Sequence, residues 1–254
     1  MALPQKSETL PLTESRESQL VTRILEKGET DLFKKITELH NRYWPKELGI
    51  THDIPSQWAQ NGLVFAAFQD KNLIATLACN RMSSDQFESA TTYRNATDEN
   101  TLNNFNDRGS ILVPFAVTVS TTKIPEPPRL LSDPLEIMLH GIAEILIDNY
   151  AYSHRDYVLR FHEDPKGGLS HGAHVGKILP YSRLEDYNAM GFNITMEYQK
   201  LSPGMVIRHT EPFKPARFVI EEAMMYAVNH GISHIIAFSR PGGFRNYLLE
   251  IHQG

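Results

Sequence analysis

Residues 214–247 read KPARFVIEEAMMYAVNHGISHIIAFSRPGGFRNY, and the alternation inside this stretch decides the fold class. Residues 218–230 have the spacing of a helix, and Gly231 supplies a standard helix stop. Residues 232–238 then form a short apolar run of strand length. The run ends in Ser239-Arg240-Pro241-Gly242-Gly243-Phe244. In α/β proteins ligands collect at the C-terminal ends of parallel strands. A hydroxyl at that point can donate to a carbonyl, and Gly-Gly lets backbone approach a ligand; a tight turn explains the same residues. Ser239 is not in a G-x-S-x-G nucleophile elbow, which argues against a hydrolase.

Upstream, residues 158–201 read VLRFHEDPKGGLSHGAHVGKILPYSRLEDYNAMGFNITMEYQKL. Residues 157–162 form a short segment with a strand-like edge, 163–168 a surface insertion, and 175–179 a strand. A turn or short helix follows at 184–190 and a further strand at 193–200. Two polar side chains stand out. His162 follows Arg160 and Phe161, and an imidazole that is neutral near pH 7 can relay protons, so it reads as a general base or as a structural histidine. Arg183 sits at a strand end. It can hold a carboxylate or phosphate bidentately, or pair with Glu185 or Asp186 at the surface.

Further toward the N-terminus, residues 1–18 are polar and read as a loose arm. Leu20, Ile24 and Leu25, then Leu32, Phe33, Ile36 and Leu39, predict two amphipathic helices over 17–27 and 30–43, broken at Gly28. A connector over 44–62 carries Trp44, Pro45, Pro55 and Trp58. Residues 63–69 and 73–80 flank the turn chemistry of Asp70, Lys71 and Asn72 and predict a hairpin. Residues 83–109 are a polar loop or a helix-containing insert. Residues 111–120 read as a buried strand in which Pro114 removes a ladder donor and suggests a bulge or splay. Residues 121–134 are proline-rich and irregular. Residues 135–150 form an apolar helix with Pro134 in its first turn and Ser132 or Asp133 as cap. Helices and strands in this sequence predict an α/β fold with a mixed sheet, and no linker divides residues 19–254.

The bulk properties narrow the function. With 254 residues, 41% of them hydrophobic, the chain can bury a sizeable core. Its net charge is −5 with no block of Lys or Arg, which argues against nucleic acid and membrane surfaces. The eleven histidines are scattered without metal-ligand spacing, so no metal is expected. The single cysteine, Cys79, can form no internal disulfide. No apolar run has membrane-spanning length and no signal-peptide pattern opens the chain. A soluble cytoplasmic protein is the expectation.

The two quoted stretches resemble parts of the GNAT acyltransferase domain. The unit Tyr187-Asn188-Ala189-Met190-Gly191-Phe192 followed by a strand looks like the closing helix and strand of that fold. Leu159-Arg160-Phe161-His162 and Pro180-Tyr181-Ser182-Arg183 are similar to the L-x-F-H and P-x-x-R units of one branch. That branch holds the GNAT-like loading domains of polyketide synthases and the acetyltransferase domains fused to carbon–nitrogen hydrolases. Gly231 to Phe244 carries the branch's G-I-x-x-I-x-A run and P-G-aromatic turn. The order is rearranged, however: in the family the second stretch precedes the first. The resemblance therefore implies a GNAT-like mixed central sheet flanked by helices, with the C-terminal helix and strand either inserted beside residues 111–120 or exchanged between two copies in a homodimer.

The same resemblance implies an acyl-coenzyme A donor, acetyl- or malonyl-CoA, the latter with decarboxylation, and transfer to an amine or to an acyl carrier protein thiol. It implies His162, Ser239 and Arg183 as catalytic residues, with Ser239 standing where the loading domains carry Thr. It implies Val117, Val119, Lys214, Arg217 and Tyr187 as coenzyme A contacts. The family's glycine-rich pyrophosphate loop has no counterpart. Residues 121–134 contain no Gly, nor do residues 211–217, where Pro212 and Pro215 remove amide donors. The alternative is thus a GNAT-derived module that binds a ligand or partner and has lost coenzyme A and catalysis.

Overall fold

The hairpin of the sequence forms as two strands turned through Asp70 and Lys71, both with positive φ (49° and 70°), the backbone a tight hairpin turn requires. A computed structural model describes this and the rest of residues 20–120, 132–163, 172–198, 200–207 and 214–253. The arm at 1–18, most of the proline-rich stretch, most of the 163–168 insertion and residues 211–213 lie outside the described residues. In chain order the elements are β1 (Leu20–Ile24), α1 (Thr30–Tyr43), α2 (Asp53–Asn61), β2 (Leu63–Gln69), β3 (Asn72–Met82), α3 (Ser84–Ser89), α4 (Tyr93–Thr97) and β4 (Ile111–Val119). There follow α5 (Asp133–Ala151), α6 (Tyr157–Glu163), β5 (His174–Leu179), β6 (Asn193–Glu197), α7 (Pro215–Asn229), β7 (His234–Ser239) and α8 (Phe244–Gln253).

The strands make one seven-stranded mixed sheet in the order β1-β2-β3-β4-β7-β6-β5. The pleat sends alternate side chains to opposite faces, so each central strand feeds two cores. On one face Phe65, Leu77, Cys79, Ile235 and Ala237 pack with residues of α5, α7 and α8. On the other, Val64, Ala78, Val113, Ile236 and Phe238 pack with residues of α1 to α4.

The C-terminal helix and strand return into the sheet of their own chain, the first of the two routes the rearranged order allowed. β7 pairs antiparallel with β6 from Ile194↔Ser239 to Glu197↔Ile236, but it pairs parallel with β4 at only two positions, Ile111↔His234 and Leu112↔Ile235. The pairing stops just before Pro114, which has no amide hydrogen to offer either neighbour. On its other side Pro114 faces Cys79 at a register shift against β3, with Ala116 opposite Ala78 and Phe115 as the extra residue. The proline and its bulge therefore accompany an opening in the middle of the sheet.

Two expectations are corrected. Residues 20–24 are not helical: β1 pairs antiparallel with β2 from Leu20↔Gln69 to Ile24↔Phe65. Their apolar spacing fits helix or strand, and the backbone donors along β2 decide it. Residues 157–163 are helical, not extended, because the buried Asp156 accepts the amides of Val158 (2.8 Å) and Leu159 (3.1 Å) and so caps the segment. Helix α8 was not anticipated; it is held by Phe244 and Leu248, both fully buried. Among the described residues no helix is long and apolar enough to cross a membrane.

Candidate active site

The opening between β4 and β7 is a cleft, concave and mostly apolar as small-molecule and cofactor sites are. Pro114, Phe115, Val117 and Thr118 of β4 form one wall, and Ala237, Phe238 and Ser239 of β7 the other. Helix α6 contributes Tyr157, Val158 and His162, while Tyr198, Ile220 and Arg240 complete one side and Tyr43, Trp44 and Pro45 the opposite one. Strands that stop pairing leave a gap through the sheet, so residues from both cores meet in one cavity. Most of the wall's exposed surface is apolar, with polar side chains interrupting it.

His162 and Ser239, distant in sequence, share this cleft. The His162 ring is buried, with Nδ1 2.6 Å from the Tyr198 hydroxyl. Burial holds its pKa down at about 4, so the ring is neutral at pH 7. Ser239 ends β7 at the C-terminal end of the strand, and its Oγ is buried without a hydrogen-bond partner among the described residues. Leaving a buried hydroxyl unpaired costs about 1–3 kcal/mol, and such an atom on a cavity wall is where a ligand's polar group is expected.

Thr118, on the same wall, lies in a relay the sequence did not reveal. The Leu48 carbonyl can only accept, so His40 Nε2 carries the proton that bridges their 3.2 Å separation. His40 is almost fully buried, which holds its pKa at about 3. Its Nδ1 is therefore a lone pair and accepts from the Thr118 hydroxyl at 3.2 Å, while Thr118 Oγ1 accepts from Trp44 Nε1 at 2.9 Å. The chain from Trp44 to Leu48 fixes α1 against β4 and holds that wall of the cleft.

Arg183 does not line the cleft. Its guanidinium lies over the Tyr93 ring (4.4 Å) and the Trp44 ring (5.6 Å), and it reaches the cleft wall through Trp44. Among the described residues its Nε is buried without a hydrogen bond, with Glu185 Oε1 3.7 Å away. Asp186 instead takes Arg240, whose Nε and Nη2 meet the two carboxylate oxygens at 2.6 and 2.5 Å. This bidentate pair anchors the turn after Ser239.

The residues expected to contact coenzyme A are dispersed. Val117 lines the cleft, and Val119 does not. Lys214 is exposed at the N-cap of α7. Arg217 is buried, with Nε 2.7 Å from Glu221 one turn on. Tyr187 is exposed and outside the lining, whereas Tyr157 takes a place in it. Arg240 belongs to the stretch that the sequence marks after β7, but Tyr198, Thr118 and His40 carry no mark in it. Nothing in their spacing marks them, since each gains its partner across more than thirty residues or through a turn. Among the described residues no cluster of three or more His, Cys, Asp or Glu could hold a metal ion.

No family model matches the chain, and no curated protein does. Among solved structures, the loading GNATL domain of CurA from Lyngbya majuscula is similar with a TM-score of 0.42 and 17% identity, over 69% of this chain and 95% of that one. The GphF GNAT-like decarboxylase in complex with isobutyryl-CoA is similar with a TM-score of 0.46 and 15% identity, over 68% of this chain and 96% of that one.

The two buried imidazoles set a pH dependence. Both have folded-state pKa values, about 3 for His40 and about 4 for His162, below the ordinary 6.5. As pH falls through 6.5 the unfolded chain takes up protons that the folded one refuses. Each ring then removes roughly 1.4 kcal/mol per pH unit, down to its folded pKa. Urea midpoints measured from pH 7 to 4 are expected to fall steeply, and His162→Gln to remove about half of that part of the slope. A flat profile would mean that neither ring is held neutral.

Proposed function

We propose that this chain is a GNAT-type acyltransferase that takes an acyl-coenzyme A into the gap between β4 and β7, with residues 19–254 acting as one domain. The observation that carries this reading is the gap itself: an apolar slot through the sheet where His162 and the unpartnered Ser239 hydroxyl face one cavity. An extended, mostly apolar acyl-pantetheine arm suits such a slot, and unpaired β4 backbone groups along it can bond the arm's amides.

In acyl transfer the acceptor's nucleophile adds to the thioester carbonyl, the carbonyl oxygen gains charge, and the coenzyme A thiol leaves with the proton. Ser239 would donate to that oxygen. With malonyl-CoA the carboxylate would leave as carbon dioxide, charge would pass to the same oxygen as an enolate, and a proton taken up at carbon would give acetyl-CoA. Arg183 would steady the carboxylate only after leaving its aromatic stack. The acceptor is an amine or a carrier-protein thiol. The lone Cys79, buried in the core, suits a reducing cytoplasm.

A second reading, a binding module without coenzyme A, is favoured by one observation. Pro215 opens α7 without an amide hydrogen, and Arg217 is turned inward to Glu221, which leaves fewer groups for a pyrophosphate. Titration calorimetry with acetyl- and malonyl-CoA, followed by mass spectrometry of the mixture, separates the two. Binding with acyl turnover or loss of carbon dioxide is the expected result. No binding by either thioester would leave the second reading.

A further inference from the structure

The 2.6 Å contact between His162 Nδ1 and the Tyr198 hydroxyl has two possible proton arrangements, and they give His162 opposite chemistry. If Nδ1–H donates to the phenol oxygen, Nε2 is a lone pair and the ring is a base. If the phenol O–H donates to Nδ1, Nε2 carries the proton and the ring is a donor. Which nitrogen is protonated follows from what the other one bonds.

Proton accounting favours the second arrangement. Tyr198 is buried, and its hydroxyl makes no other hydrogen bond among the described residues. With Nδ1–H as the donor, the phenol proton would be buried without an acceptor, at about 1–3 kcal/mol. With the phenol as donor it is satisfied, and an imidazole nitrogen is a better acceptor than a phenol oxygen. Nε2 makes no hydrogen bond among the described residues, so it is the nitrogen left to meet what fills the cleft.

We infer that Tyr198 is a positioning residue that fixes His162 as a neutral Nε2–H donor toward the cleft, so that His162 serves a carbonyl oxygen as a hydrogen-bond donor and not as a resting-state base. The carbonyl assignment rests on the acyltransferase reading; the tautomer does not. Two neutral donors, His162 Nε2–H and the Ser239 hydroxyl, would then face one cavity. The neutrality agrees with the depressed pKa of the buried ring. Such a pair matches charge that grows on an oxygen during the reaction.

The test is the long-range proton–nitrogen correlation spectrum of the full chain labelled with 15N-histidine, with His162 assigned by its loss in His162→Gln. The expected result is a neutral ring protonated at Nε2. In Tyr198→Phe, which keeps the ring's shape, the Nδ1–H form should appear, with kcat for thioester turnover reduced about tenfold or more and KM little changed. A wild-type ring protonated at Nδ1 overturns the inference whether or not the variant folds. So does a Tyr198→Phe protein whose His162 signals and kcat are both unchanged. A chain that turns over no thioester but shows the Nε2–H ring, and loses it in Tyr198→Phe, would sink the acyltransferase reading while supporting the tautomer assignment.

Discussion

Asp186→Ala is expected to lower stability by about 3–5 kcal/mol, the usual penalty for stranding one partner of a buried ion pair. Asp186 is fully buried and Arg240 nearly so, with side-chain exposures of 0% and 11%. Asp186 also accepts the amide of Ala189 at 3.2 Å, at the start of a short turn of helix. Its removal therefore leaves a guanidinium in the cleft wall without its counter-charge and a backbone donor without its cap. The neutral double variant, Asp186→Asn with Arg240→Gln, should recover more than half of the loss, because no charge is then buried alone. Urea denaturation of the three proteins measures this directly. A double variant no more stable than Asp186→Ala would show that shape, not charge, holds the turn. Because that turn follows Ser239, ligand binding in the single variant should weaken as well.

Ser239→Ala is expected to move stability and activity in opposite directions. The hydroxyl it removes is buried and has no partner among the described residues, so the folded protein should become more stable by up to about 1 kcal/mol or stay unchanged. If the acyltransferase reading holds, thioester turnover should fall by about 10²–10³, the scale of losing one donor at a developing oxyanion. Strain kept at a working site and relieved by its removal is a recurrent trade between stability and function. Thermal denaturation and a coenzyme A release assay on the same preparation decide both parts. A clear loss of stability would mean that Ser239 Oγ already has a partner in the protein. Unchanged turnover with a stable fold would remove Ser239 from the chemistry.

Much of the architecture follows from local sequence. Asp70 and Lys71 set the hairpin turn, Gly231 (φ +66°) ends α7, and Pro114 marks the bulge. These are short-range constraints of backbone geometry, so a single sequence carries them. Where the outcome depended on a distant partner, local reading failed. Leu20–Ile24 is a strand because β2 offers its edge, and residues 157–163 are a helix because Asp156 caps them. Helix α8 exists because Phe244 finds a place in the core.

The site divides in the same way. His162 and Ser239 could be picked out by residue type and by position relative to a strand or a motif, and the fold brings both to one cavity. Arg183 was equally prominent, but it stacks on Tyr93 and Trp44 beyond the lining. Tyr198, His40 and Thr118 carry no local mark. Their protonation states are set by groups that only the folded chain brings near: the Tyr198 phenol for His162, and the Leu48 carbonyl and Thr118 hydroxyl for His40. By itself the sequence determined most of the elements from residue 30 onward, the fold class and two of the polar groups, because propensity, turn chemistry and periodicity act over a few residues. Only the tertiary structure decided that β7 threads between β4 and β6, that the sheet parts after Leu112, and which nitrogen of each buried imidazole bears the proton. Those outcomes depend on strand pairing and desolvation between residues far apart in the chain.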